Sequence, residues 1–164
     1  MVVQGGLPQF HEARPTWQAR RGLARRPDGT QAGTSLPGHA MSLVDEFAAN
    51  AETAGFVVHR GQAPQIEDAG VSRAVYALAD TGSVVLAAAP EEPRTASLLP
   101  DVHVTLVSED VILAGLEELF AAVGDALPSS LAIVTGPSRS ADIEQKLTVG
   151  VHGPGEVHVV IQER

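Results

Sequence analysis

The residues best suited to chemistry gather toward the C-terminus. Between positions 134 and 161 the chain places Thr135, Gly136, Ser138, Arg139, Ser140, Asp142 and Glu144, then His152 flanked by Gly150 and Gly153, all between two short apolar runs. Hydroxyls, backbone N–H groups and a guanidinium are the donors that hold a carboxylate or phosphate, while Asp142, Glu144 and His152 can move protons. In an α/β protein such polar segments fall at strand ends, where ligands bind.

Two readings stay open at Ser140. As a helix N-cap it puts Asp142 and Glu144 in the first turn, where a carboxylate gains a few tenths to about 1 kcal/mol from the helix dipole. Alternatively, the same turn, with Gly136, Ser138 and Arg139, receives an anionic ligand. His152 is either a hydrogen-bonded loop side chain or an acid/base, with Gly150 and Gly153 letting the backbone approach closely.

A second constellation is Asp80-Thr81-Gly82-Ser83. Thr81, Gly82 and Ser83 can present N–H and O–H donors to an anion, with Asp80 as a further acid/base candidate. Equally, the four residues make an ordinary hairpin turn in which Gly82 takes a positive φ. The segment 91–97, with Glu91, Glu92, Arg94, Thr95 and Ser97, is a weaker candidate. His103 and His158 fall within expected strands. There is no His-x-x-x-His, His-Glu-x-x-His, Gly-x-Gly-x-x-Gly, Walker or Gly-x-Ser-x-Gly pattern, so no metal site, nucleotide loop or serine nucleophile is expected.

These groups need elements to position them. Ser42 caps a helix carrying Leu43, Val44, Phe47, Ala48, Ala51 and Ala54, and Gly55 stops it. Residues 56–59 read as a strand and residues 60–70 as a polar connector. Residues 75–79 and 83–89 read as strands joined by a tight turn, the second buried on both faces. Residues 101–107 alternate as a strand with one wetter face. Ser108, backed by Glu109 and Asp110, reads as the start of a helix through Ile112, Leu116, Leu119, Phe120 and Val123 to Gly124. A buried strand at 131–134, a short helix from Ser140 to about Leu147 and a strand at 157–161 complete the series. This order favours an α/β domain with a mostly parallel sheet covered by helices.

The 164 residues fit one domain with a substantial core. Residues 1–40 mix four prolines with several glycines and no apolar period, which predicts an irregular or flexible arm before a single domain at 41–164. The net charge of −9 is uneven, five arginines against two acids in the arm and six basic against eighteen acidic groups beyond it. An acidic body disfavours nucleic acid and anionic membrane. The absence of cysteine excludes disulfides, a cysteine nucleophile and any iron–sulfur cluster held by this chain's own thiolates. No apolar run approaches the roughly 20 residues of a membrane helix, and no signal sequence is visible, so a cytoplasmic protein is expected.

Four motifs in one order then make the chain recognisable: residues 80–86, Ala96-Ser97-Leu98-Leu99-Pro100 with Val102-His103, residues 135–144, and Gly150-Val151-His152-Gly153-Pro154. From about residue 69 onward it resembles the LUD domain of bacterial lactate-utilisation proteins, LutC type. The resemblance implies an α/β fold similar to the ribose-phosphate isomerase, glucosamine-phosphate deaminase and CoA-transferase group. It further implies a role in oxidising L-lactate to pyruvate, with iron–sulfur clusters on partner subunits and none bound by this chain; the first reading is a LutC-type subunit that binds a small organic anion or a partner. Alternatives are a self-sufficient sugar-phosphate or acyl-CoA enzyme of the wider fold group and a non-catalytic interaction module. Relatives carry an acid-Thr-Gly-Thr turn where this chain has Asp80 and Ser83. They also place roughly a strand–helix–strand unit between Gly61 and Ala69, where this chain is too short for a crossover of about a dozen residues; an omitted segment is expected near 61–69.

Overall fold

The computed structural model describes residues 41–88, 94–124, 128–141, 147–149 and 153–163. The expected arm at 1–40, part of the 91–97 segment, and Asp142, Glu144, Gly150 and His152 lie outside them.

Helix α1, Leu43–Ala54, forms where expected. The Ser42 hydroxyl accepts a hydrogen bond from Asp45 N at 3.1 Å, satisfying one of the free N–H groups of the first turn. At the other end Gly55 turns left-handed, φ 104°, and its N–H donates to Ala51 and Glu52 carbonyls. Phe47, Ala48 and Ala51 form the buried stripe.

Four strands, β1 Val57–Arg60, β2 Gly70–Arg73, β5 Val102–Ser108 and β10 Glu156–Gln162, make a wholly parallel sheet in the order β1-β10-β5-β2. Strands β3 Tyr76–Leu78, β4 Ser83–Ala87, β6 Ile112–Leu113 and β7 Leu131–Val134 make a mixed sheet in the order β6-β3-β4-β7. The chain passes between sheets at Ala74 and Val75, whose N–H groups donate to Leu106 O in one sheet and Val85 O in the other.

Helix α1 packs across both sheets, with Phe47 and Ala51 against Val84, Leu86, Val107, Val157, Val159 and Ile161. Helix α3, Leu116–Val123, covers the far face of the mixed sheet through Leu119 and Val123. On the far face of the parallel sheet, Val104, Leu106 and Val160 pack against Ala63, Ile66, Ala69 and Val71. The short helix α2, Thr95–Leu98, sits on β2, where a Cβ at Gly70 would be 1.9 Å from Ala96 O.

Four expectations are corrected. Ser108 does not start the long helix: a 3₁₀ turn at Glu109–Val111 follows it, Ile112 and Leu113 pair with Ala77 and Leu78, and α3 begins at Leu116. Sheet pairing outweighed helical periodicity there, since both residues become buried. No helix begins at Ser140: β8 Arg139–Ala141 pairs antiparallel with β9 Leu147–Val149. Strand β5 has no wetter face, because a central parallel strand is covered on both sides and even His103 and Thr105 are buried. Strand β7 is not buried, because it is the edge of its sheet, and Ala132 and Ile133 are exposed.

Candidate functional site

The two hydroxyl-bearing turns meet. Antiparallel pairing of β4 with β7 sets Val84 opposite Val134, which brings the start of one strand beside the end of the other. Ser83 Oγ consequently lies 2.7 Å from Thr81 Oγ1 and 2.7 Å from Thr135 Oγ1. Ser83 is buried at 1% exposure, whereas Thr81 and Thr135 are exposed, so the row of hydroxyls opens to solvent at both ends.

Helix α1 forms the other wall. Gly82, φ 64°, and Gly136, φ 82°, both bring their backbones onto its last turns: a Cβ would stand 2.1 Å from Ala51 N at the first and 2.1 Å from Ala54 O at the second. From α1, Asn50 Nδ2 donates to the carbonyls of Ala79 at 2.7 Å and Asp80 at 3.3 Å, clamping the turn. Both glycines therefore have a packing requirement on this helix.

The other candidates surround this row without converging on it. Arg139 Nη2 lies 2.9 Å from the position of a Cβ on Gly55, at the C-terminus of α1 where a cation is favoured. Ser138 N donates to Pro154 O at 2.9 Å, and Gly153 approaches Ser138 Cβ at 3.4 Å, measured from its own Cβ position. Asp80 turns toward the start of α3: its Oδ2 lies 2.6 Å from the Cβ position of Gly115, and its N–H donates to Ala114 O at 3.0 Å. Asp142, Glu144 and His152 lie outside the described residues, and with no helix starting at Ser140 the dipole argument for the two acids lapses. Among the described residues no histidine or carboxylate hydrogen-bonds to Thr81, Ser83, Thr135 or Ser138. The cluster has the donors of an anion site and lacks a described general base. Neither a group of three metal-ligating side chains nor a helix long and apolar enough to cross a membrane occurs among the described residues.

Two histidine networks cross the parallel sheet on opposite faces. His103 Nε2 meets Ser72 Oγ at 2.5 Å and its Nδ1 lies 3.4 Å from Thr105 Oγ1. All three are buried, and burial pushes the His103 pKa down to about 4, keeping the ring neutral at pH 7. On the other face His59 Nε2 contacts His158 Nδ1 at 2.9 Å, with the rings stacked at 5.2 Å, and His158 Nε2 contacts Glu156 Oε1 at 2.7 Å. Burial, then the neighbouring His158, lower the pKa of His59. Sequence alone placed His103 and His158 on strands but offered no register to join them to Ser72 or His59. Asn50 carries no motif and passed unnoticed among the alanines of α1.

A cavity of about 500 Å³ lies over the carboxyl ends of the parallel strands, on the face away from α1. Val71, Val104 and Leu106 line it, with Arg73 and Gln162 at the strand ends and the 61–69 connector as its wall. The connector read from sequence as polar spacing carries Ala63, Ile66 and Ala69 against the sheet, an apolar spacing that was the available signal.

The sequence profile of the LUD domain matches residues 65–162. The chain belongs to the LUD domain family. It is similar to relatives of the LutC type: "Lactate utilization protein C" of Halalkalibacterium halodurans is 38% identical over 104 residues, 59% of this chain and 45% of that protein. The protein of the same name from Bacillus licheniformis is 38% identical over 102 residues, 58% of this chain and 42% of that protein. This LUD chain thus spans less than half the length of these curated relatives. A crystal structure of a DUF162 family protein from Deinococcus radiodurans matches with a TM-score of 0.55 at 19% identity, covering 73% of this chain and 96% of that one, and shows the same α/β fold.

Proposed function

We propose that this LUD domain acts as a LutC-type subunit in oxidation of L-lactate to pyruvate, beside partner subunits that carry iron–sulfur clusters. The observation that carries the reading is the match over residues 65–162, joined by relatives named for lactate utilization. A chain without cysteine cannot supply thiolates to a cluster, so electrons leaving lactate pass to a cluster on another subunit. The row of Thr81, Ser83 and Thr135 would present hydroxyl donors to a small organic anion or to a partner's backbone. The site works in the cytoplasm in this reading.

A second reading, the non-catalytic interaction module, is favoured by one observation: Gly82 and Gly136 are required for packing on α1, and the hydroxyls already satisfy one another.

The experiment is a gene deletion with a tagged copy of the full chain returned. The lactate role predicts that growth on L-lactate as sole carbon source is lost and restored by the copy, and that iron-containing subunits co-purify with it. Normal growth of the deletion strain on lactate, with no iron protein retained, refutes it. Substituting Thr81→Val, which leaves the Ser83–Thr135 bond in place, separates the two readings. Lost growth at unchanged thermal stability supports an anion or partner contact, and unchanged growth supports the packing role.

A further inference from the structure

The outer edge of β7 carries backbone donors and acceptors whose direction follows from its pairing with β4. Ala88 N donates to Ser130 O at 3.0 Å, and these two residues stand directly opposite in the register that pairs Ala87 with Leu131. Hydrogen-bonded and non-hydrogen-bonded pairs alternate along an antiparallel ladder, so Ala132 and Val134 also turn their N–H and C=O groups toward β4. Leu131 and Ile133 therefore aim theirs away from it. β7 is the last strand of the mixed sheet, and among the described residues no strand lies beyond it.

Sheet edges are ordinarily protected from pairing with other chains by charges, prolines or bulges. Both edge strands of the parallel sheet carry an arginine, Arg60 on β1 and Arg73 on β2. β7 has no such protection: it reads Leu-Ala-Ile-Val, and no Asp, Glu, Lys, Arg or His occurs from 126 to 138. Ile133 is 45% exposed, and Ala132 is exposed on the opposite face of the strand. In a chain of net charge −9 two copies repel each other over most of their surface, and this uncharged edge is where they can meet without that repulsion.

We propose that this edge binds a second copy of the chain, β7 against β7 and antiparallel, about a two-fold axis at Ala132. That register sets Leu131 of one copy opposite Ile133 of the other, twice, and so satisfies every outward N–H and C=O of both residues within the strand. An axis at Ile133 would instead put Leu131 opposite Thr135, beside the turn at Gly136, φ 82°, where the extended run ends. An axis at Leu131 would put Ile133 opposite Ser129, before the strand begins. With the axis at Ala132 the aliphatic side chains of Leu131 and Ile133, both on the face that α3 covers, also meet across the two copies. The inference rests on the pairing of β7 and is independent of the lactate reading.

Sedimentation equilibrium of the full chain, at loading concentrations spanning about a hundredfold, tests it, and a reversible monomer–dimer equilibrium is expected. Ile133→Pro removes an outward N–H and leaves the ladder to β4 whole, since position 133 gives β4 no hydrogen bond. Each copy loses one bond, so association should weaken about tenfold or more. Circular dichroism checks folding; if the proline variant is not folded, Ile133→Lys, which brings a like charge from each copy to the axis, should weaken association as much. The chain has no cysteine, so Ala132→Cys adds a single thiol at the axis, with about 4.5 Å between the two Cα atoms. Mild oxidation should link most of that variant into covalent dimers. Ile133→Cys should stay largely unlinked, because its two copies are displaced along the strands beyond the roughly 7 Å a disulfide spans. A chain monomeric at every concentration, a dimer whose affinity the folded Ile133 variants leave unchanged, or Ile133→Cys linking as fast as Ala132→Cys would each overturn the proposal.

Discussion

Replacing His103 with glutamine should remove a specific part of the protein's acid sensitivity. His103 is 2% exposed and flanked by the neutral hydroxyls of Ser72 and Thr105, with no carboxylate in its hydrogen-bonded circle. Burial takes its pKa from an ordinary 6.5 down to about 4. Between those values the unfolded chain binds a proton that the native state refuses, so stability is full above pH 6.5 and declines as pH falls toward 4. At about 1.36 kcal/mol per pKa unit the decline amounts to about 3 kcal/mol, a large fraction of a domain's usual stability. Below pH 4 both states carry the proton and this group adds no further loss. Urea unfolding of the original chain and His103→Gln at a series of pH values from 7.5 to 4.5 measures the effect. Carboxylates and His59 titrate in both proteins and cancel in the difference. Glutamine lowers stability at pH 7.5 through lost packing, but the gap should close by about 2–3 kcal/mol at pH 4.5. Two profiles that run parallel would refute the reasoning.

Two further outcomes follow from the contact of the turns with α1. Gly82→Ala combines a left-handed residue, about 1–2 kcal/mol, with a Cβ 2.1 Å from Ala51 N, and should lower the denaturation midpoint far more than Gly61→Ala, whose φ is 85° but whose Cβ would meet nothing within 4 Å. Asn50→Ala strips the side-chain donor from the carbonyls of Ala79 and Asp80 and should cost about 1–2 kcal/mol in chemical denaturation, with the loss shared rather than added in the Gly82→Ala background.

Local signals were readable where a single segment contained the whole reason for its structure. The Ser42 cap, the left-handed Gly55 and the positive φ of Gly82 each follow from one or two residues, and each is found as read. The hydroxyl turns at 80–83 and 135–139 were also legible, each as a separate constellation. The structure joined them, through the contact of Ser83 with Thr135 and the approach of Gly82 and Gly136 to α1. Signals misled where a remote partner decided the outcome. Ile112 and Leu113 lie at helical spacing with Leu116 and Leu119, yet β3 offered them a ladder and burial. Ser140 resembles a cap, yet Thr148 stands opposite it in a hairpin.

Composition, punctuation and motif order by themselves determined the α/β class, the family, the acidic body and the lack of thiolate ligands. Those properties depend on which residues are present and how they are spaced. Only the tertiary structure decided that His103 is neutral and joined to Ser72, that Gly82 and Gly136 serve the same helix, and that Arg73 borders a cavity at the strand ends. Strand register and sheet order set those relations. Both arise from burial summed over the whole chain, which no local pattern encodes.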